Sequence, residues 1–362
     1  MVTGPYRSTI LDLPFELVFH VLELNVSAYD LRHHCTPDHE YRYLCGTALV
    51  SKAWATPSQT LLWRYISLRN PSQARRWIDS PATGQYTTLG LSIYGWKIED
   101  AVLRRVLSKT IGLRTLALSS FQSISGACFA LPELKNLTAL VLRHCTVSAE
   151  GTTSFCFRLR LFQTFHTCVD PAVIKELFRA SASTLKFLEV EEELEQHNPT
   201  LQGLYESFPR VAATIRALRI TKPYNPLVPL LAGCTALKRL ELTDDVGAAL
   251  AAAICEALPT PLADLSVVGR PHGVHRVLDG ILQAFPLHSL SQLKHIYLHW
   301  KHGLVEESMR DIFRAHNIRE HRSRFSSYPC AFFFSLEEFI PDEYFPDILY
   351  VNDPDDSTAI TS

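Results

Sequence analysis

The chain of 362 residues carries 35 Lys and Arg against 37 Asp and Glu, with 47% apolar and 20% charged residues. This composition suits a soluble chain long enough for one small and one large domain, and the net charge of −2 gives no global attraction to nucleic acid or an anionic membrane. Nine cysteines without a CxxC pair, and an amino terminus without the basic-then-apolar form of a signal peptide, predict a reducing compartment, cytoplasmic or nuclear.

The first predicted element is a helix over residues 14–24. Asp12 is suited to cap it, Pro14 to stand in its first turn and Glu16 to lie near its positive end. Leu17 with Val21, and Val18 with Leu22, form two i,i+4 pairs. The resulting apolar stripe is wider than a lone surface helix needs, so part of it should face a partner. A second helix is predicted over 41–54, where Leu44, Ala48, Leu49 and Ala53 recur at helical spacing. Pro57 and Ser58 open a third element that ends in Leu61, Leu62 and Trp63.

The order of three motifs, Leu13-Pro14 with Leu17 to Leu22, then Ala48 to Trp54, then Leu61 to Trp63, resembles the F-box. The F-box is a small three-helix module that attaches a protein to the Skp adaptor of a cullin-based ubiquitin ligase. The resemblance covers residues 10–68 and implies adaptor contacts at Leu13, Pro14, Leu17, Val18, Leu22, Leu49, Val50, Trp54, Leu62 and Trp63. The segment 26–42 is longer than the link between the first two helices of a simple F-box.

Next, 65–68 reads as a strand and 71–79 as a helix carrying Trp77. Together they form a half-repeat that covers the open end of a larger repeat domain. From Tyr86 onward the pattern L-x-x-L-x-L returns, most clearly from Leu113, Leu137, Leu185, Ile215, Leu237, Leu262 and Leu293, with an ambiguous copy near Leu161. Its interval of roughly 20 to 30 residues is similar to that of leucine-rich repeats, each a short strand and a returning helix or irregular turn. Helical patterns at 98–110, 171–183, 246–258, 273–285 and 305–316 supply the returns.

The expected fold is therefore α/β: an F-box and junction at 10–68, an irregular leucine-rich-repeat solenoid at 69–327 with a parallel inner sheet and outer helices, and a carboxy-terminal cap and tail at 328–362. Positions 4 and 6 of each copy should be buried. Positions 3, 5 and 7 should line the concave face. A regular repeat places Asn or Cys two residues beyond position 7; Cys145 meets that pattern, Phe121 and Pro223 do not.

No phosphate loop, GxGxxG, HExxH or GxSxG motif occurs, so neither catalysis nor a cofactor is expected. The cluster His33, His34, Cys35, His39 and Cys45 matches no zinc spacing and reads as a solvated insertion. His295, His299 and His302 read as surface histidines. Cys145, Cys168 and Cys234 read as structural thiols. The acidic run from Glu189 to Glu195 reads as a solvated edge, or as a patch for a basic partner.

The combination resembles leucine-rich-repeat F-box proteins and implies a non-catalytic substrate receptor. Its partners would be the Skp adaptor, through it a cullin, and a client protein on the concave face at Phe187, Glu189, Glu191, Arg219, Arg239, Glu241, His295, Tyr297 and His299. The alternatives are a non-degradative F-box scaffold and a repeat-containing enzyme or small-ligand sensor.

Overall fold

The computed structural model describes residues 14–25, 38–191, 199–220, 228–243, 246–258, 262–268, 271–284, 293–299, 307–315 and 318–323. Leu13, the His33 to Cys35 cluster, His302 and the expected carboxy-terminal cap and tail lie outside them.

Three helices open the described chain: α1 (Phe15–Asn25), α2 (Asp38–Ala48) and α3 (Lys52–Arg64). The Pro14 carbonyl accepts hydrogen bonds from the Leu17 and Val18 N–H groups at 3.1 Å, so Pro14 stands just ahead of the first turn rather than in it. The helix predicted over 41–54 is broken at Leu49 and Val50. There the Ser51 carbonyl takes the first bonds of α3, from Trp54 and Ala55. Pro57, expected to open the third element, lies buried inside α3. Val18, Leu22, Leu44, Trp54 and Leu61 form a small core of their own, with Phe19 and Leu62 packed against it.

Fourteen strands come next among the described residues. The first seven are β1 (Tyr65–Leu68), β2 (Gly90–Tyr94), β3 (Thr115–Ser119), β4 (Ile124–Ser125), β5 (Ala139–Arg143), β6 (Thr146–Ser148) and β7 (Leu161–Phe165). The rest are β8 (Cys168–Val169), β9 (Phe187–Glu191), β10 (Ala217–Ile220), β11 (Arg239–Thr243), β12 (Asp264–Val268), β13 (His295–His299) and β14 (Arg319–Ser323). Eleven of them make one sheet in the order β1-β2-β3-β5-β7-β9-β10-β11-β12-β13-β14, and β4, β6 and β8 make a second. Every pairing is parallel.

The returns are α4 (Pro71–Asp79), α5 (Asp100–Ser108), α6 (Pro171–Ser181), α7 (Pro199–Ser207), α8 (Val228–Leu231), α9 (Ala248–Ala257), α10 (Pro271–Ala284) and α11 (Glu307–Ala315). Between β3 and β5 the chain returns instead through two 3-10 turns, Gly126–Ala130 and Pro132–Asn136. Capping explains sharp helix starts. Asn70 accepts from the Gln73 N–H at 2.9 Å ahead of Pro71, and Asp170 accepts from the Ala172 N–H at 2.8 Å ahead of Pro171.

Strands in sequence order, all parallel and each followed by a return on the other layer, constitute a leucine-rich-repeat-like solenoid. Its core lies between the large sheet and the returns. Leu116, Leu118, Leu140, Leu142, Leu240 and Leu242, at positions 4 and 6, are all fully buried, as the alternation requires. Two copies begin elsewhere than expected. The copy assigned to Tyr86 starts at Thr88, because Leu91 and Ile93 pair with Leu116 and Leu118. The copy near Leu161 starts at buried Leu159, which brings Phe162 opposite Leu140.

After three strands the chain turns through a non-glycine residue in the left-handed region: Ser120 (φ 59°), His144 (φ 50°) and His166 (φ 46°). The first two keep their N–H groups bonded to the next repeat, Ser120 to the Arg143 carbonyl and His144 to the Phe165 carbonyl, both at 2.8 Å. The residue after each turn solves the backbone bonding differently. The Cys145 thiol donates to the Arg143 carbonyl at 3.1 Å, Thr167 Oγ1 donates to the Phe165 carbonyl at 2.8 Å, and Phe121 fills its turn with a buried ring.

Candidate interaction surfaces

Positions 5 of successive copies form one row across the sheet. Val141 pairs with Gln163, Gln163 with Glu189, Glu189 with Arg219, Arg219 with Glu241, Glu241 with Ser266 and Ser266 with Tyr297. The alternation thus places Glu189, Arg219 and Glu241 away from the leucine core, as expected. Their exposure is another matter: Glu189 is 1% exposed, Arg219 5% and Glu241 0%.

These side chains lie along the row and shield one another. Gln163 Nε2 donates to Glu189 Oε2 at 2.8 Å, the Arg219 guanidinium donates to Glu189 Oε1 at 2.5 Å, and Arg219 Nε lies 2.8 Å from Glu241 Oε1. One guanidinium between two carboxylates offsets the cost of taking the charges from water. Glu189, Arg219 and Glu241, expected as client contacts, are therefore buried rather than open, as is Phe187, which is 1% exposed. Glu189 is also not part of a solvated acidic edge. Alternation reveals which face a residue takes but not whether that face is open.

Arg239, His295 and Tyr297 stay partly exposed. Arg239 Nε donates to Asp264 Oδ2 at 2.6 Å, and the His295 and Tyr297 rings lie 6.2 Å apart. The side chains of Glu191 and His299 lie outside the described residues.

A more open surface sits at the carboxyl ends of the first repeats, next to the strand that carries Glu191, which pairs with Phe165. Tyr94 is 50% exposed and Trp96 66%. Tyr94 pairs with Ser119, Ser119 with Arg143 and Arg143 with Phe165, and the Arg143 guanidinium stands 4.8 Å over the Phe165 ring. His144 and His166 stack just beyond, their centroids 5.1 Å apart. The signal available in the sequence is the aromatic pair Tyr94 and Trp96 at the end of a strand template.

In the three-helix module, the expected adaptor contacts Val18, Leu22 and Trp54 are buried in the small core. Leu62 packs on that core. Trp63 packs on the solenoid, its ring 4.9 Å from Trp77 and 5.7 Å from Tyr86. The remaining expected contacts are open: Pro14 is exposed, Leu17 is 52% exposed, Leu49 87% and Val50 61%. Phe15 and Val21 are exposed as well.

Cys128, Cys145, Cys234 and Cys255 are buried, whereas Cys45 and Cys168 are partly buried and Cys156 is exposed. Burial pushes Cys145 up to about 11 and Cys234 and Cys255 up to about 12. Cys128 rises further still, through burial and its 3.0 Å contact with Asp100 Oδ1. Among the described residues no three His, Cys, Asp or Glu side chains form a group able to hold a metal ion. No described helix is long and apolar enough to cross a membrane.

No family model matches the chain, and no curated protein matches it. Among solved structures it is similar to the leucine-rich repeat-containing protein LegL7 from Legionella pneumophila. The two are 14% identical over 62% of this chain and 68% of that one, with a TM-score of 0.33.

Proposed function

We propose that this chain is a substrate-recognition subunit of a Skp–cullin–F-box ubiquitin ligase, its three helices binding the Skp adaptor and its solenoid holding a client protein. The observation that carries this reading is apolar surface left over after the module has filled its own core. Leu17, Val21, Leu49 and Val50 are exposed although Val18, Leu22, Leu44, Trp54 and Leu61 already pack together. Clustered apolar surface marks a binding site more often than scattered single residues do. Leu17, Leu49 and Val50 are also positions where the F-box resemblance implies adaptor contact.

The client would be held at Tyr94, Trp96, Arg143 and Phe165, since Trp, Tyr and Arg are the usual anchors of an interface. In this reading the chain performs no bond chemistry. It contributes proximity between the client and a transferring subunit.

Titrating the purified full chain with the Skp adaptor tests the reading. Leu17→Ser combined with Leu49→Ser should weaken binding by ~2 kcal/mol or more. The circular dichroism should not change, because neither side chain belongs to the core. Wild-type affinity in the double variant overturns the assignment.

A further inference from the structure

Position 2 of each repeat lies where the chain enters the inner strand, and its backbone links to the same position of the next copy. The Lys186 N–H donates to the Arg160 carbonyl at 2.9 Å, Arg216 to Lys186 at 2.8 Å and Lys238 to Arg216 at 2.8 Å. Arg160, Lys186, Arg216 and Lys238 therefore stand on four adjacent strands, about 4.8 Å apart, along one rim of the solenoid. Arg114 continues the row on one side beyond Thr138, and Lys294 on the other beyond Ala263. No acidic residue interrupts it.

The side chains of Arg216, Lys238 and Lys294 are exposed and those of Arg114, Arg160 and Lys186 partly so. Among the described residues, no carboxylate pairs with Arg160, Lys186, Arg216 or Lys238. The Lys186 ammonium is held below the usual lysine range, first by partial burial and then by the neighbouring charges of Arg216 and Arg160. Like charges in a row cost stability, since adjacent cations on neighbouring strands repel. A row of them on a chain of net charge −2 is a local concentration of positive potential. At its amino-terminal end the rim opens into a cleft of about 670 Å³ lined by Arg114, Lys135, Arg158, Asn136 and Thr138.

We infer that this basic rim is a docking site for an acidic segment of a protein partner, laid along Arg160, Lys186, Arg216 and Lys238 with one anionic group seated in the Arg114, Lys135 and Arg158 cleft. The inference stands apart from the adaptor reading and does not need it. A protein segment suits the rim better than nucleic acid. The row holds no aromatic side chain on which a base could stack, and the near-neutral whole gives no extended field for a long polyanion. Carboxylates and phosphoserines share the required chemistry.

The test uses the full chain and three labelled peptides of equal length: one rich in Asp and Glu, one with phosphoserines in their place and one neutral. At ionic strength of about 50 mM, where screening is weak, either anionic peptide should bind and the neutral one should not. Lys186→Gln with Arg216→Gln and Lys238→Gln should lower that affinity roughly tenfold, the sum of three solvent-screened charge contacts. Arg75→Gln with Arg76→Gln and Lys97→Gln removes the same charge from exposed sites off the rim and should leave it unchanged. Preference for the phosphoserine peptide supports a modified partner, and equal binding supports any acidic one. Equal loss in the two variants overturns the inference, as does failure of both anionic peptides to bind. Tighter binding of a single-stranded oligonucleotide than of the peptides would overturn it in favour of nucleic acid.

Discussion

Arg219 meets Glu241 at 2.8 Å on the inner face of the sheet, and neither side chain is more than 6% exposed. The same guanidinium donates to Glu189, so its removal takes the cation from two buried carboxylates. Arg219→Ala should therefore cost ~3–5 kcal/mol, the usual penalty for breaking a buried pair from one side. Arg219→Lys should fall between, because one ammonium lacks the planar fork that reaches both partners. Arg239→Ala is the control, since its pair with Asp264 keeps 19% and 14% side-chain exposure and should contribute ~1 kcal/mol or less. Urea unfolding midpoints measure all three. Equal losses for Arg219→Ala and Arg239→Ala would mean that the row is hydrated.

Gly95 and Phe121 are coupled in the same way by shape. A Cβ on Gly95 would overlap the Phe121 ring, which fills the turn of the next repeat and is only 1% exposed. Gly95→Ala should destabilise by ~1–3 kcal/mol through overpacking. Adding Phe121→Leu makes room, so the double variant should be more stable than the sum of the single losses predicts. Additive losses in thermal unfolding would show that the overlap is relieved by backbone movement.

The inner strands are legible in the sequence because a buried Leu at positions 1, 4 and 6 leaves few other ways to hide it. The two-residue shifts at Thr88 and Leu159 are not. A strand moved by two residues keeps the same face inward, and only pairing such as Leu91 with Leu116 fixes the register. The break at Leu49 is hidden for a related reason. Ala48 and Leu49 continue the helical spacing from Leu44, and only the bonds to the Ser51 carbonyl show that a new helix begins. Charge is harder to place than apolarity. Glu189, Arg219 and Glu241 read as surface residues singly and become interior ones only because the sheet sets them side by side.

Thiol chemistry offers a check on the packing of the returns. The thiolate is the reacting species, so a thiol held at about 11 or 12 has almost none of it near neutral pH. Cys145, Cys234 and Cys255 should stay unmodified by a small alkylating reagent in the native state and react fully in denaturant. Cys156, exposed at the edge of the cleft, should react first among the described cysteines. Peptide mapping after timed labelling reads this directly. Early modification of Cys234 or Cys255 would place α8 or α9 away from the sheet.

Trp63, expected at the adaptor face, packs instead at the joint between the helical module and the solenoid. Its carbonyl accepts from Thr88 Oγ1 at 3.0 Å, the neighbouring Arg64 carbonyl accepts from the Leu89 N–H at 2.8 Å, and Gln59 accepts from the Tyr86 hydroxyl at 3.1 Å. With α3 running straight into β1 and the Trp63 ring between Trp77 and Tyr86, the last turn of α3 acts as the first wall of the repeat core. Trp63→Ala should lose about half of the ~3–5 kcal/mol typical of a fully buried Trp, because the ring is only partly buried. The loss should appear in the unfolding of the first repeats, followed by hydrogen exchange at Leu91 and Ile93. Adaptor affinity, measured by titration below the unfolding transition, should stay at the wild-type value. Weakened adaptor binding with unchanged exchange at β2 would return Trp63 to the adaptor face and remove it from the joint.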